Sequence, residues 1–155
     1  MENLIRGRIY NTPSISNISK DTVMYEGCQF KGMVMSEVKF KSIKLIDCTF
    51  DHVIIEQSFL EDLLLKNCDI KSIQIRGNRK ITKSSLFSKK KVGFIKETYI
   101  SDDCKITELV LCGNLRIDSC RFPSGEKFLH VHNPALIYKE SINFIEKNWE
   151  EEKRK

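Results

Sequence analysis

A repeat of five residues limits the folds open to this chain more than any other feature. When residues 26–75 are divided into fives, all ten fifth positions are apolar, and so are nine of the ten third positions. The first and second positions are almost entirely polar. The fifth positions are Phe30, Met35, Phe40, Leu45, Phe50, Ile55, Leu60, Leu65, Ile70 and Ile75. The third positions are Cys28, Met33, Val38, Ile43, Cys48, Val53, Ser58, Leu63, Cys68 and Ile73.

A period of five fits neither regular helix nor ordinary strand. Amphipathic helices repeat apolar residues every 3.6 residues, and half-buried strands every two. A chain that bends every five residues and points two side chains inward on each side does fit the pattern. Four such sides make a coil of 20 residues, and coils stack at roughly 4.8 Å. Like residues then lie on like, as Cys28, Cys48 and Cys68 do.

The segments EGCQF, IDCTF and KNCDI carry a resemblance to a known family. With the five-residue period, they resemble the pentapeptide-repeat proteins, over residues 16–75 and less regularly over residues 98–122. The resemblance implies an all-β solenoid, a right-handed quadrilateral parallel β-helix of about four coils. We expect one domain over residues 1–155, with a lead-in or cap at 1–15, coils at 16–75, a basic insertion at 76–97, a further coil at 98–122 and a C-terminal strand and helix at 123–155.

The predicted insertion concentrates the positive charge of the chain. Eight of the 21 residues from Arg76 to Lys96 are Lys or Arg and none is acidic, whereas the whole chain carries only +5. Three interpretations stay open: a solvated loop, a loop that binds an acidic protein surface, and a loop that binds phosphates. The candidate binding residues are Arg76, Arg79, Lys80, Lys83, Leu86, Phe87, Lys89, Lys90 and Lys91.

A C-terminal helix is predicted after the Asn133-Pro134 pair, which suits a helix N-cap and first turn. Apolar residues follow at spacings of four, three and four and form one stripe. These residues are Tyr138, Ile142, Ile145 and Trp149. The stripe either caps the apolar end of the solenoid or forms a homodimer contact.

Four apolar residues stand at fourth positions, where side chains should face water. They are Val34, Ile54, Phe59 and Leu64. We interpret them as an exposed apolar face that either contacts a partner or is covered by another segment of the chain.

Catalytic and metal-binding patterns are lacking in the sequence. It contains no nucleophile elbow, phosphate-binding loop, zinc-protease motif or dinucleotide fingerprint. His130 and His132 have no third ligand nearby, and the six cysteines include no CxxC pair. Cys112, at an irregular position, is the one candidate for a reactive thiol. We therefore expect no enzyme, no cofactor and no metal.

The apolar segments of the sequence bear on where the protein is located. The sequence has no apolar signal-peptide segment and no apolar run of about 18 residues. We therefore expect a cytoplasmic protein that is not membrane-bound. The leading hypothesis is a protein-binding module that neutralises a toxin or blocks a host or phage factor. The alternatives are a protein that acts on DNA gyrase or another topoisomerase, as some pentapeptide-repeat proteins do, and nucleic-acid binding through the insertion.

Overall fold

The computed structural model describes residues 3–77, 93–113, 115–123 and 129–131. Those residues form strands and bends, and no helix lies among them. The strands are β1 (Asn3–Arg6), β2 (Ile9–Tyr10), β3 (Ser14–Ser16), β4 (Ser19–Glu26), β5 (Gln29–Ser36), β6 (Lys39–Ile46), β7 (Thr49–Glu56), β8 (Phe59–Lys66), β9 (Asp69–Ile70), β10 (Ile73–Arg76), β11 (Phe94–Lys96), β12 (Tyr99–Ile100), β13 (Lys105–Ile106), β14 (Leu109–Cys112), β15 (Arg116–Asp118) and β16 (Leu129–Val131).

The strands stack into a parallel solenoid of about five turns. One sheet has the order β1-β4-β6-β8-β11-β15, with β12 also on β8. The other contains β13-β9-β7-β10-β14-β16, with β5 joining β2 and β3 to β7. Where two strands between β1 and β10 pair with each other, the paired residues are 20 positions apart, as Val23 and Ile43 are. The predicted parallel β-solenoid is confirmed.

The expected lead-in or cap at residues 1–15 forms part of the solenoid. Strand β3 pairs with β5 there, as Ile15 with Met35. Likewise β1 pairs with β4. The expected number of coils, about four, is therefore one too small. The five-residue pattern is weak in the first turn, because Pro13 and Lys20 occupy positions where later turns carry apolar residues.

The core consists of the side chains at the third and fifth positions of the repeat, which point into the solenoid. All ten third positions of residues 26–75 are buried, and most of the fifth positions are buried with them. Ser58, the polar exception, is 4% exposed. Its hydroxyl donates to the Glu56 carbonyl at 2.8 Å and accepts from the Val38 N–H at 3.1 Å, so both hydrogen-bonding roles are satisfied.

A left-handed residue recurs every five positions and explains the polar second positions. Asp47, His52 and Gln57 have φ between 49° and 55°, and Gly27 and Gly32 have φ of 62° and 57°. β-branched apolar residues are costly in this conformation, whereas glycine, asparagine and aspartate tolerate it. The chain therefore bends where its sequence lacks apolar residues.

The solenoid extends into both ends of the predicted insertion. Arg76 closes β10, and the repeat resumes at Phe94 rather than near Thr98, with Ile95 lying on Leu60. Later inward pairs, such as Leu109 with Leu111, are buried as predicted.

The DSCRF segment repeats the Cys-x-Phe of residues 28–30, which predicts that it stacks with Cys28 and Cys48. This prediction is wrong, because Arg121 pairs with Tyr99, which pairs with Leu64. Cys104 continues the cysteine column instead, because its neighbour Lys105 pairs with Asp69. Offsets of 35 and then 36 residues replace the offset of 20 here, so a spacing rule applied across residues 78–92 fails.

Candidate functional site

Most of the residues predicted to bind a partner lie outside the described residues. This is so for Arg79, Lys80, Lys83, Leu86, Phe87, Lys89, Lys90 and Lys91, and for the helix residues Tyr138, Ile142, Ile145 and Trp149. Both sets stay predictions. Arg76 is described, and its guanidinium donates to the Gln74 side-chain oxygen at 2.8 Å, so it belongs to the solenoid wall.

The four apolar fourth-position residues lie on different sides of the solenoid. Val34 pairs with Ile54 across β5 and β7, whereas Phe59 and Leu64 lie on β8 in the other sheet. All four side chains are half-buried. The structure therefore separates a small aliphatic pair from a second group around β8.

Around β8, outward side chains form two columns that mix apolar groups with cations. In the first, the Phe59 and Phe94 rings stack with centroids 5.2 Å apart. The Arg116 guanidinium lies 5.0 Å from the Phe94 centroid, and Lys39 Nζ lies 5.9 Å from that of Phe59. Each end of the ring pair is thus covered by a cation, an arrangement favoured by the negative ring faces.

The second column lies five residues further along each strand. Leu64 has Lys44 on one side and Tyr99 on the other. Arg121 lies 6.0 Å from the Tyr99 centroid, and Tyr99 is 39% exposed. The left-handed residues Asp62 and Glu97 separate the columns, so these lie on either side of a bend. We name the two columns the aromatic–cation edge: Lys39, Lys44, Phe59, Leu64, Phe94, Tyr99, Arg116 and Arg121.

Acidic groups beside this edge are already paired. The Glu61 carboxylate, between the columns on β8, lies 4.0 Å from Lys41 Nζ and 3.7 Å from Lys96 Nζ. Within the described part of the chain, Lys39 and Arg121 make no ion pair. The exposed part of the edge therefore combines the Tyr99 ring with positive charge, whereas Phe59 is half-buried and Phe94 is buried.

Only Phe59 and Leu64 of this edge were predicted from the sequence as contact residues. Phe94, Tyr99, Arg116 and Arg121 lie beyond residues 78–92, where the register had been lost. Restarting the period at Ile95 would have found them, because Ile95 and Ile100 are consecutive fifth positions.

A second chemical feature is the column Cys28, Cys48, Cys68 and Cys104, none of which forms a disulfide. The hydrogen bond from the Cys68 thiol, followed by that from the Cys68 N–H at 3.4 Å, lowers the pKa of Cys104 to about 7. The same thiol pair raises the pKa of Cys68. Cys104 is half-buried, whereas Cys28, Cys48 and Cys68 are buried, so Cys104 is the accessible thiol of this column.

We therefore expect Cys104, and not Cys112, to be the first thiol alkylated. The rate of labelling by iodoacetamide should rise with pH and reach half its maximum near pH 7, because the thiolate is the nucleophile. An ordinary thiol shows this midpoint near pH ~8.5. Peptide mass spectrometry of briefly labelled protein measures it, with Cys104→Ser as the control. Faster labelling of Cys112 would contradict the assignment.

Other candidate chemistry is sparse in the described ranges. His52 is exposed and its Nδ1 lies 2.6 Å from the Asp51 carboxylate. No three His, Cys, Asp or Glu side chains among the described residues are placed to hold a metal ion. In the same residues no helix has the length and apolarity to cross a bilayer.

Comparison of the sequence with models of known protein families and with curated proteins gives no match. The parallel solenoid thus stands on the strand pairing and burial described above.

Proposed function

We propose that the protein is a non-enzymatic protein-binding module whose contact surface is the aromatic–cation edge. The observation that carries the proposal is Tyr99, exposed beside Leu64 with Arg121 over its ring. Tyrosine and arginine are enriched among the residues that dominate binding energy at protein interfaces. Stacked strands hold these side chains at set spacings, so little side-chain entropy is lost on binding.

The expected partner surface is acidic. Lys39 and Arg121 are exposed, and neighbouring Glu61 already has two lysine partners, so the edge attracts negative charge. Leu64 and Tyr99 supply the apolar centre that such an interface requires. Toxin neutralisation or blockage of a host or phage factor are the roles we propose for such contact.

Tyr99→Ser combined with Arg121→Glu should weaken partner binding about tenfold or more. The full chain, tagged and cross-linked in cells, is compared with this double variant by quantitative mass spectrometry. Arg8→Glu is the matched control, since Arg8 is exposed on the first turn, far along the chain from the edge. Proteins retained equally by all three forms would refute the edge as the contact surface.

The finer architecture is part of the same proposal. We propose a right-handed quadrilateral pentapeptide-repeat helix. The left-handed residues that recur every five residues between Asn17 and Asn67 support it, because each marks a bend. A C-terminal helix that caps the last turn or pairs two copies completes it. Six unpaired cysteines support a reducing compartment such as the cytoplasm.

Nucleic-acid binding is the second candidate function. Exposed cations beside an exposed ring also suit phosphates and stacked bases, and the basic residues 78–92 add charge. This alternative predicts a mobility shift of DNA or RNA that weakens steeply with salt. Protein without any shift at low salt would exclude it.

Action on a topoisomerase is the remaining alternative. It predicts inhibition or protection in a DNA-supercoiling assay. The cations of the aromatic–cation edge disfavour mimicry of DNA, since a mimic of the duplex presents negative charge. An inert result at micromolar protein would discard it.

A further inference from the structure

The first turns of the solenoid enclose an apolar cavity of about 260 Å³, which we name the N-terminal lumen. Its walls come from successive turns, and nearly all of the lining surface is hydrocarbon or aromatic. The lining residues are Tyr10, Thr12, Ile15, Ile18, Lys20, Tyr25, Phe30, Met33, Met35, Phe40, Ile43, Leu45, Phe50, Ile55 and Leu63. Apolar cavities of about 150 Å³ already bind benzene, so this one has room for a larger apolar group.

The lumen lies where several inward positions of the first turn carry no buried apolar side chain, as at residues 13 and 20. Lys20 pairs with Phe40 and so occupies a fifth position, yet its side chain is exposed. Pro13 precedes Ser14, the partner of Val34, and so stands at the third position over Met33. Pro13 is also exposed. At the same positions the next turn carries Met33 and Phe40, which line the lumen, and the turn after it carries Val53 and Leu60, which are buried.

The lumen opens toward the first turn. Its lining residues Tyr10, Ile15 and Ile18 are half-exposed, whereas Phe50 and Leu63, deeper in the solenoid, are buried. Lys20 and Leu63 lie about two coils apart along the solenoid, so the lumen is roughly 10 Å deep at about 4.8 Å per coil. A fully extended chain of about ten carbons spans roughly 11 Å, because C–C bonds of about 1.5 Å zigzag at each carbon.

We propose that the N-terminal lumen binds an unbranched carboxylate, with its alkyl chain along the solenoid axis and its head group at Lys20. Lys20 is exposed at the open end and makes no ion pair within the described ranges. Among the described residues of the lining it is also the only charged one. The ligand thus matches the lumen in length, apolarity and charge.

The environment of Tyr25 supports a dry interior. Burial, followed by the neighbouring Tyr10, raises the pKa of the Tyr25 hydroxyl. The two rings meet edge to face at 5.9 Å, and Tyr10 stacks on Phe30 at 5.1 Å. The wall beside the mouth is therefore ordered before a ligand enters, which reduces the entropy lost on binding.

A second copy of the chain is the competing occupant. Two solenoids meeting end to end would cover the mouth. Each would present its first turn to the other, however, and the deep part of the lumen would stay empty. A chain that enters along the axis buries the deep residues Phe50 and Leu63 as well.

Calorimetric titration of the full chain with decanoate tests the proposal. We expect one decanoate per chain, and binding about tenfold weaker for decyltrimethylammonium, whose head group repels Lys20. Hexanoate, which leaves the deep end unfilled, should bind more weakly than decanoate. Absence of decanoate binding at millimolar concentration would overturn the proposal.

Two variants locate the site. Lys20→Glu should weaken decanoate binding about tenfold, while Lys31→Glu, an equal charge change at an exposed residue outside the lining, leaves it unchanged. Thr12→Trp, at the exposed rim, should block entry. Circular dichroism checks that each variant is folded. Equal effects of both lysine changes would overturn the assignment of the head group.

Sedimentation velocity distinguishes the competing occupant. With the lumen as a ligand site, the sedimentation coefficient of the chain does not change with Thr12→Trp. A dimer that Thr12→Trp dissociates, together with no calorimetric signal for decanoate, would show that a second copy covers the mouth and would overturn the proposal.

Discussion

Replacing Ile70 with alanine is expected to lower the free energy of unfolding by about 3–5 kcal/mol. Ile70 is 0% exposed and pairs with Phe50 on one side and Ile106 on the other, so its side chain lies between two apolar neighbours in the core. Truncation removes buried methyl groups and leaves a cavity that stacked backbones cannot close. Urea unfolding monitored by circular dichroism measures the change.

Lys71→Ala is the matched control for this substitution. Lys71 follows Ile70 directly but is exposed, so its loss should change the free energy of unfolding by less than about 0.5 kcal/mol. The pair tests the assignment of inward and outward positions at one point of the repeat. Similar destabilisation by both substitutions would show that the register of β9 is wrong.

Gly113→Ala is expected to destabilise the fold by about 3 kcal/mol or more, through left-handed strain combined with a steric clash. Gly113 has a φ of 76°, and a Cβ placed there would lie 2.7 Å from the Gly77 carbonyl oxygen. Because the obstacle is backbone, no side-chain movement relieves it. Urea unfolding of the purified variant provides the measurement.

Gly27→Ala separates the two contributions. Gly27 has a φ of 62°, but a Cβ there has nothing within 4 Å. Its substitution should therefore cost only the left-handed strain, about 1–2 kcal/mol. If Gly113→Ala costs no more than Gly27→Ala, the close approach of residues 77 and 113 is not present in solution.

The inward columns could be predicted because period and burial report the same geometry. Cys48, Phe50 and Val53 are buried, and a chain that bends every five residues points its third and fifth side chains inward. Each repeat buries the same two side chains, so inward positions can be predicted from the sequence of one repeat without knowing which turn lies next to it.

The aromatic–cation edge and the N-terminal lumen could not be predicted in this way. Tyr99 meets Leu64 at an offset of 35, and Arg121 meets Tyr99 at an offset of 22. The lumen depends on exposed Lys20 at an inward position, where the local pattern indicated only a weak repeat.

By itself, the sequence determined that this chain forms stacked strands with two inward side chains in every five residues. Only the tertiary structure decided where the solenoid begins and how it continues beyond residue 92. It also decided which columns Cys104 and Tyr99 join. The physical reason is that the hydrogen bonds between parallel strands join backbone groups. They can therefore form whatever number of residues separates the two strands along the chain. Packing between successive turns then selects one offset, and that choice requires all the turns together.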